Sequence, residues 1–359
     1  MTSRHDIAGV AGQFQILGDF ISAAPYGSGH INDTYCAVFD QGGSPVRYIF
    51  QRINHNVFKN PVALMDNIFR VTSHLQSKYR SEGSRRALTV ISTRLGQSYY
   101  CDKAGNYWRA YIFIEQARSY DSVETTSQAF EAAKAFGGFQ TLLADLPMPR
   151  LNETISGFHD TVKRFKALEA AIAGDVRDRV KLAGSEIDFA MRHKAIASVL
   201  LDAGLPERVT HNDTKLNNVL LDDVTGEGIC VIDLDTVMPG LVLYDFGDMV
   251  RTATCQAKED ETDLSKVQMQ FPMFEALVRG YLAATGDFLT AGEKRQLAFS
   301  GKLITFEIGV RFLTDFLAGD VYFKVHREWH NLDRCRTQFK LVDSIEQQED
   351  RMNKLVESL

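Results

Sequence analysis

His211-Asn212-Asp213-Thr214-Lys215-Leu216-Asn217-Asn218 is the stretch whose reading decides this chain. It sets a carboxylate two residues after a histidine, a lysine two residues after the carboxylate, and an asparagine three residues beyond the lysine. Twenty residues past Asp213, the apolar run Val231-Ile232 ends in Asp233-Leu234-Asp235. A proton acceptor, two oxygen ligands for a hard cation and a nearby lysine are what transfer of a phosphoryl group from ATP requires, because the moving group is anionic and a hydroxyl is a poor nucleophile. Asp213 is therefore the expected base, and Asn218 and Asp233 the expected ligands of Mg2+, which prefers oxygen. Lys215 shares the base's face in an extended loop and is expected to reach the γ-phosphate. His211 is expected to brace the loop, since this chemistry leaves it no proton to move.

Working outward, the residues before the loop divide into a sheet and a helical part. Pro25-Tyr26-Gly27-Ser28-Gly29-His30-Ile31-Asn32 is a glycine-bearing turn that leads into the alternating run Tyr35–Phe39. A second strand is expected over Arg47–Ile53, with further strands near Leu88–Ser92, Ser98–Asp102 and Tyr107–Glu115. Pro61–Lys78 has helical spacing, with Val62, Met65, Ile68, Phe69 and Leu75 on one face. From Ser122 onward helices are expected over Ser127–Ala144, His159–Ala173, Glu186–Ala203, Met269–Thr285, Ala291–Leu317 with a break, and Leu332 to the end. Gly137-Gly138 would permit close helix packing. The reading is an α+β chain with a small N-terminal antiparallel sheet lobe carrying one helix (1–116) and a larger, mainly helical C-terminal lobe (117–359), with ATP in the cleft between them.

Within that frame Gly27, Ser28 and Gly29 are expected to cover the phosphates with backbone N–H groups. Glu115, at the end of the strand joining the lobes, is expected to contact the nucleotide. Arg52 on the Arg47–Ile53 strand is the expected cation for the α/β-phosphates, because that strand offers no lysine.

Composition fits this class. With 46 acids against 40 bases the chain carries a net charge of −6 and no basic block, which argues against a nucleic-acid partner. No apolar run reaches the roughly 18 residues of a membrane span, and no signal-peptide core follows Met1. Five scattered cysteines without a C-x-x-C pair make neither a zinc site nor a disulfide framework, and a reducing cytoplasm is expected. A monomer is expected.

The H-x-D-x-K-x-x-N spacing resembles the catalytic loop of protein-kinase-like phosphotransferases, which implies a bilobal kinase fold. Asp245-Phe246-Gly247 spells the D-F-G of protein kinases but lies thirty-two residues past Asp213. Asp233 is better spaced as the metal ligand. Asp245 is expected to accept hydrogen bonds from the loop backbone, with a plain helix N-cap as the alternative. The longer strings Thr210–Asn218, Ile232–Gly240, Tyr26–Asn32, Arg311-Phe312-Leu313 and Gly319–Phe323 resemble the N-acetylhexosamine 1-kinases of the aminoglycoside phosphotransferase and choline kinase superfamily. That resemblance implies ATP- and Mg2+-dependent phosphorylation of the anomeric hydroxyl of N-acetylglucosamine or N-acetylgalactosamine, in amino-sugar salvage. It also implies a sugar held beside Asp213 by His30, Asn32, Arg311 and Tyr322. A salt bridge from Arg311 to Asp315 or Asp320 is the structural alternative. A kinase for choline, aminoglycoside or homoserine acceptors and a non-catalytic nucleotide binder are the other readings.

Overall fold

A computed structural model describes residues 5–27, 29, 31–79 and 85–359. Ser28 and His30 therefore lie outside the described residues. The chain opens with α1 (Ile7–Ala11), capped by the Asp6 carboxylate, which accepts from Gly9 N–H at 2.9 Å. It then builds β1 (Asp19–Pro25), β2 (Asp33–Asp40), β3 (Pro45–Ile53), α2 (Pro61–Lys78), β4 (Tyr100–Cys101) and β5 (Tyr107–Ile112). The strands form one antiparallel sheet in the order β1-β2-β3-β5-β4.

Strand parity gives this sheet two unlike faces. Ala37, Phe39, Tyr48, Phe50, Trp108 and Ala110 bury one face beneath α1. Ile49, Ile53, Tyr107 and Tyr111 point the other way and join the main core with α2. Helix α2 begins where Asn60 caps Ala63 N–H at 3.0 Å and Pro61 supplies a preset first-turn φ. Its buried side carries Leu64, Met65, Ile68, Val71 and Leu75, whereas Val62 and Phe69, expected on that face, are exposed.

Two other expectations are corrected here. Leu88–Ser92 is no strand: only the isolated bridge Val90–Tyr111 forms there. The edge strand β1 was not expected, because Asp19–Pro25 is mostly exposed and has no apolar alternation to mark it.

The remainder is mainly helical: β6 (Ala117–Arg118), α3 (Thr126–Leu142), α4 (Thr161–Gly174), α5 (Gly184–Arg192), α6 (Val199–Asp202), β7 (Arg208–Thr210), β8 (Val219–Asp222), β9 (Gly228–Val231), β10 (Met238–Gly240), α7 (Val242–Ala253), α8 (Phe271–Thr285), α9 (Ala291–Arg295), α10 (Leu297–Ala318), α11 (His330–Glu346) and α12 (Glu349–Glu357). The expected helix over 186–203 is broken after α5, where the His193 ring meets the Phe189 carbonyl at 2.9 Å and a 3-10 turn follows. Two glycines allow close crossings. A Cβ at Gly280 would collide with the Phe130 carbonyl of α3, and one at Gly247 with the Ser300 carbonyl of α10. Gly137 does pack on Tyr281, but Gly138 faces open space. Phe246, Phe274 and Tyr281 fill the core so formed, each stabilising the fold by about 1.5–3 kcal/mol through burial. Helix α7 is thereby fixed against α10, and its first turn sits beneath the loop that follows β7.

Candidate active site

The loop after β7 is held at nearly every polar atom. Asn212 takes a left-handed φ of 67°, a conformation asparagine tolerates better than most residues. Its N–H donates to Asp245 Oδ1 at 2.6 Å, and its Nδ2 to the Thr236 carbonyl at 2.9 Å. Its Oδ1 accepts from Thr210 Oγ1 at 3.1 Å. Its carbonyl meets His159 Nε2 at 3.0 Å. Asp245 also accepts from His211 N–H at 2.9 Å and from Gln140 Nε2 at 2.6 Å. The Asp245 carboxylate thus binds loop backbone, although it also lies in the first turn of α7. Burial raises its pKa against the pull of His211 and these donors. The fully buried His211 ring receives the Asp213 N–H at Nδ1 (3.3 Å), so its own proton is on Nε2, which donates to the Ile232 carbonyl at 2.9 Å.

Asp213 emerges from this frame with part of its side chain still exposed. Its Oδ1 is 2.8 Å from Lys215 Nζ. Asn218 Nδ2 donates to the Asp213 carbonyl at 2.8 Å and to its Oδ2 at 3.2 Å. Burial pushes the Asp213 carboxyl up, but neighbouring positive charge, the Lys215 ammonium first and Arg251 further off, holds it below the usual 3.8. Lys215 is raised in turn, chiefly by Asp213. The Ile232 N–H donates to the Asn218 carbonyl at 2.9 Å, which brings Asp233 alongside. Asp233 sits at φ 57°, and burial, Asp235 and Asp213 push its pKa up to about 6. A solvent-accessible carboxylate short of positive charge, next to an amide oxygen, suits Mg2+, which takes one or two carboxylates and draws its remaining oxygens from phosphates and water. Among the described residues no group of three or more His, Cys, Asp or Glu side chains is arranged to hold a metal.

The opposite wall is the second face of the sheet. One row of side chains crosses it. Gln51 Nε2 donates to Thr34 Oγ1 at 3.0 Å, Arg109 Nε donates to Gln51 Oε1 at 2.9 Å, and Arg109 Nη1 makes a short ion pair with Asp235. Asn32 Nδ2 donates to the other Asp235 oxygen at 2.6 Å, while Asn32 Oδ1 accepts from Asn54 N–H at 3.0 Å. The lobes are thus joined by an ion pair whose members are each at least 96% buried.

Arg52 is not part of this row, which corrects the expectation that it meets the α/β-phosphates. It stands opposite Asp33 and Trp108 in the sheet, on the α1 side, and its Nη2 lies 2.6 Å from Asp33. Glu115 is exposed and paired with Arg47, whose guanidinium lies 3.8 Å over the Phe113 ring. Tyr26 packs edge-on to the same ring at 5.6 Å. Gly27 has φ 81°, and among the described residues neither it nor Gly29 has a neighbour within 4 Å of an added Cβ.

On the far side of the base, Arg311 projects from α10 among the rings of Phe158 (5.2 Å), Phe323 (5.7 Å) and Tyr322 (6.0 Å). Among the described residues no carboxylate is paired with it. The two acids offered as its partners are engaged elsewhere. Asp315 accepts from the N–H groups of Val321, Tyr322 and Phe323 at 2.8–2.9 Å, and Asp320 is paired with Arg179 at 2.6 Å. Asp315 thereby shapes the segment that presents Tyr322, which is 63% exposed. One turn before Arg311, Glu307 is fully buried against His159 Nδ1 at 2.8 Å and Thr161 Oγ1 at 2.6 Å.

Sequence reasoning did not single out Arg109, Asp235, His159 or Glu307. The available signal was a charge set in apolar surroundings. Arg109 interrupts Tyr107-Trp108-Ala110-Tyr111-Ile112, and Glu307 interrupts Leu303-Ile304-Phe306-Ile308, positions where an unpaired charge is costly.

A sheet lobe set on a helical lobe, with the Asp213 loop and Asp233 side by side on the helical wall of the cleft, defines a kinase-like phosphotransferase fold. The model of the phosphotransferase enzyme family (APH) matches residues 22–284, well over half of the chain, and the chain belongs to that family. Solved structures share its fold. An aminoglycoside phosphotransferase from Alicyclobacillus acidocaldarius aligns over 100% of this chain and 98% of its own, at TM-score 0.67 and 13% identity. A microcompartment-associated aminopropanol kinase covers 97% and 98%, at 0.59 and 14% identity. Choline kinase from Cryptosporidium parvum covers 98% of each, at 0.56 and 16% identity. Among the described residues no helix is long and apolar enough to cross a membrane.

Proposed function

We propose that this chain transfers the γ-phosphoryl group of ATP to the anomeric hydroxyl of an N-acetylhexosamine, N-acetylglucosamine or N-acetylgalactosamine, giving the sugar 1-phosphate. The observation that carries the choice of acceptor is Arg311, a guanidinium among three aromatic rings with no carboxylate partner among the described residues. Arg164 adds a second positive charge nearby; burial and then Arg311 lower its pKa. Such a wall repels the ammonium of a cationic alcohol. It offers a neutral sugar fixed donors for its oxygens and ring faces for its carbons. The sequence resemblance to the N-acetylhexosamine 1-kinases supports the same acceptor, with His30, Asn32 and Tyr322 as further contacts.

In this reading the acceptor oxygen attacks the γ-phosphorus while its proton passes to Asp213. The bond from the γ-phosphorus to the bridging oxygen breaks, and ADP leaves. The lowered pKa of Asp213 keeps it ionised and ready to accept that proton at neutral pH. Lys215 faces the charge that spreads over the transferring group. Asn218 and Asp233 would hold Mg2+, which would supply positive charge to the phosphate oxygens. Gly27, Ser28 and Gly29 cover the phosphates, and the segment from Tyr26 to Phe113 and Glu115 flanks the base of the nucleotide. Arg109 takes over from Arg52 as the arginine on the cleft side of the sheet, although its pairing with Asp235 makes it a brace between lobes.

Phosphorus NMR of the product after incubation with N-acetylglucosamine, ATP and Mg2+ tests the proposal. The expected signal is a glycosyl phosphate coupled to the anomeric proton. A 6-phosphate, or turnover of choline with no turnover of either N-acetylhexosamine, would overturn it.

A further inference from the structure

His159 and Glu307 have no part in the chemistry above, yet they link two parts of it. His159 stands one residue before the Asp160 cap of α4 and lies against the loop that carries the base. Its Nε2 meets the carbonyl of Asn212, the residue before Asp213, at 3.0 Å, and its Nδ1 meets Glu307 Oε1 at 2.8 Å. A carbonyl can only accept, so Nε2 donates to Asn212, while Nδ1 faces the Glu307 carboxylate. Against the opposing effect of burial, Glu307 and then the Asn212 carbonyl raise the His159 pKa, and His159, Arg311 and Thr161 lower that of Glu307, so both shifts favour the charged pair. Asn212 is the left-handed residue of the loop, and conformations of that kind cost about 1–3 kcal/mol unless their surroundings impose them. Its amide and side chain are fixed from the Asp245 and Thr236 side; among the described residues, His159 is what fixes its carbonyl. Glu307 stands four residues before Arg311, one turn away on the same face of α10.

We infer that His159 is a positioning residue that sets the Asn212 carbonyl, and with it the orientation of Asp213, and that Glu307 ties this setting to the α10 turn that presents Arg311 to the acceptor. A shift of that turn on acceptor binding would be transmitted to the base through two hydrogen bonds and one ring. This inference rests on the phosphotransferase reading of the site and not on the sugar as acceptor.

The test compares His159→Gln, whose amide nitrogen can still donate to the Asn212 carbonyl, with His159→Phe, which cannot donate, and with Glu307→Gln. Steady-state kcat and KM are measured with N-acetylglucosamine and with ATP. If the wild-type chain turns over choline instead, the same variants are assayed with choline, so that a failed sugar reading does not decide this one. The expected result for His159→Phe is a fall in kcat of about 30-fold with the KM for ATP within about twofold. His159→Gln should recover most of that loss, and Glu307→Gln should lower kcat and raise the acceptor KM together. A residue that merely stabilises the fold would lower the melting temperature and leave kcat of the folded fraction and the acceptor KM unmoved. Retention of kcat within about twofold in His159→Phe, or equal losses in the Gln and Phe variants, would overturn the inference. Should His159→Phe not fold, wild-type kcat in both His159→Gln and Glu307→Gln overturns it as well.

Discussion

The two faces of the N-terminal sheet carry arginines one strand apart with opposite fates. On the α1 face, Arg52 pairs with Asp33 while the carboxylate keeps 42% of its exposure, and beyond the sheet Asp33 meets His5 on the same face, not the other lobe. On the cleft face, Arg109 is 99% buried, receives help from Gln51 and Thr34, and reaches the other lobe at Asp235. The difference shows where this sheet spends its polar groups. Exposed pairs beside an aromatic face are close to neutral in energy. A buried pair in the cleft is costly to desolvate, so its use lies in fixing one arrangement of the lobes around Asp233 rather than in raw stability.

The sharpest contrast should come from the wall that faces Arg109. Asp213→Asn keeps the shape of the base and removes its proton affinity, so kcat should drop about 10²- to 10⁴-fold with binding of ATP little changed. Near-normal turnover in this variant would remove Asp213 from the role of base. The next largest effect should be on the cross-cleft pair. Asp235→Ala strands the buried guanidinium of Arg109 and should destabilise the protein by about 3–5 kcal/mol in urea unfolding. Adding Arg109→Met to Asp235→Leu should restore much of that loss, because the desolvated charges then vanish together. A single variant as stable as the wild type would mean that the pair is not buried in solution.

How much of this was legible depends on the range of the interactions. The spacing of His211, Asp213, Lys215 and Asn218 is local, and so are the Asn60-Pro61 start of α2 and the alternation of β2 and β3; these could be read from the chain. Alternation also divides β3 into two faces, yet a single strand does not say which face meets the other lobe. That is why Arg52 was expected in the cleft and Gln51, its neighbour, was not. Arg109–Asp235 and His159–Glu307 join residues 126 and 148 positions apart, and only the assembled fold brings them together. The edge strand β1 was missed for a different reason: a mostly exposed strand has no need of an apolar pattern.

Removing the metal should expose the cost of the cleft face at Asp233. Its folded pKa of about 6 lies above its ordinary 3.8. Between those values the folded state holds a proton that the unfolded chain has released, so this group's contribution to stability is full below the lower value and is lost as pH rises through the higher one. In EDTA, Asp233→Asn should therefore gain melting temperature over the wild type as pH rises from about 4 to 7, and Mg2+ with ADP should shrink that gain by compensating the wild-type carboxylate. A difference in melting temperature that stays flat across this range would show that Asp233 ionises without penalty and would weaken its assignment as the uncompensated ligand.

The smallest effect belongs to the α1 face. Arg52→Ala removes one side of a partly exposed ion pair, and Asp33 retains His5 at 3.4 Å as a second neighbour. Solvent already screens both groups, so the change should cost no more than about 1 kcal/mol in urea unfolding. Because the Arg52 side chain shares its face with Phe50 and Trp108, away from Gln51 and Arg109, the KM for ATP should stay within about twofold of the wild type. The same measurement on Arg109→Lys supplies the other half of the comparison. Lysine lacks the planar fork that meets Gln51 and Asp235 together, so kcat should fall there even though the charge is kept. A rise of tenfold or more in the ATP KM of Arg52→Ala would put Arg52 on the phosphates after all, and would require the sheet to present its α1 face to the nucleotide.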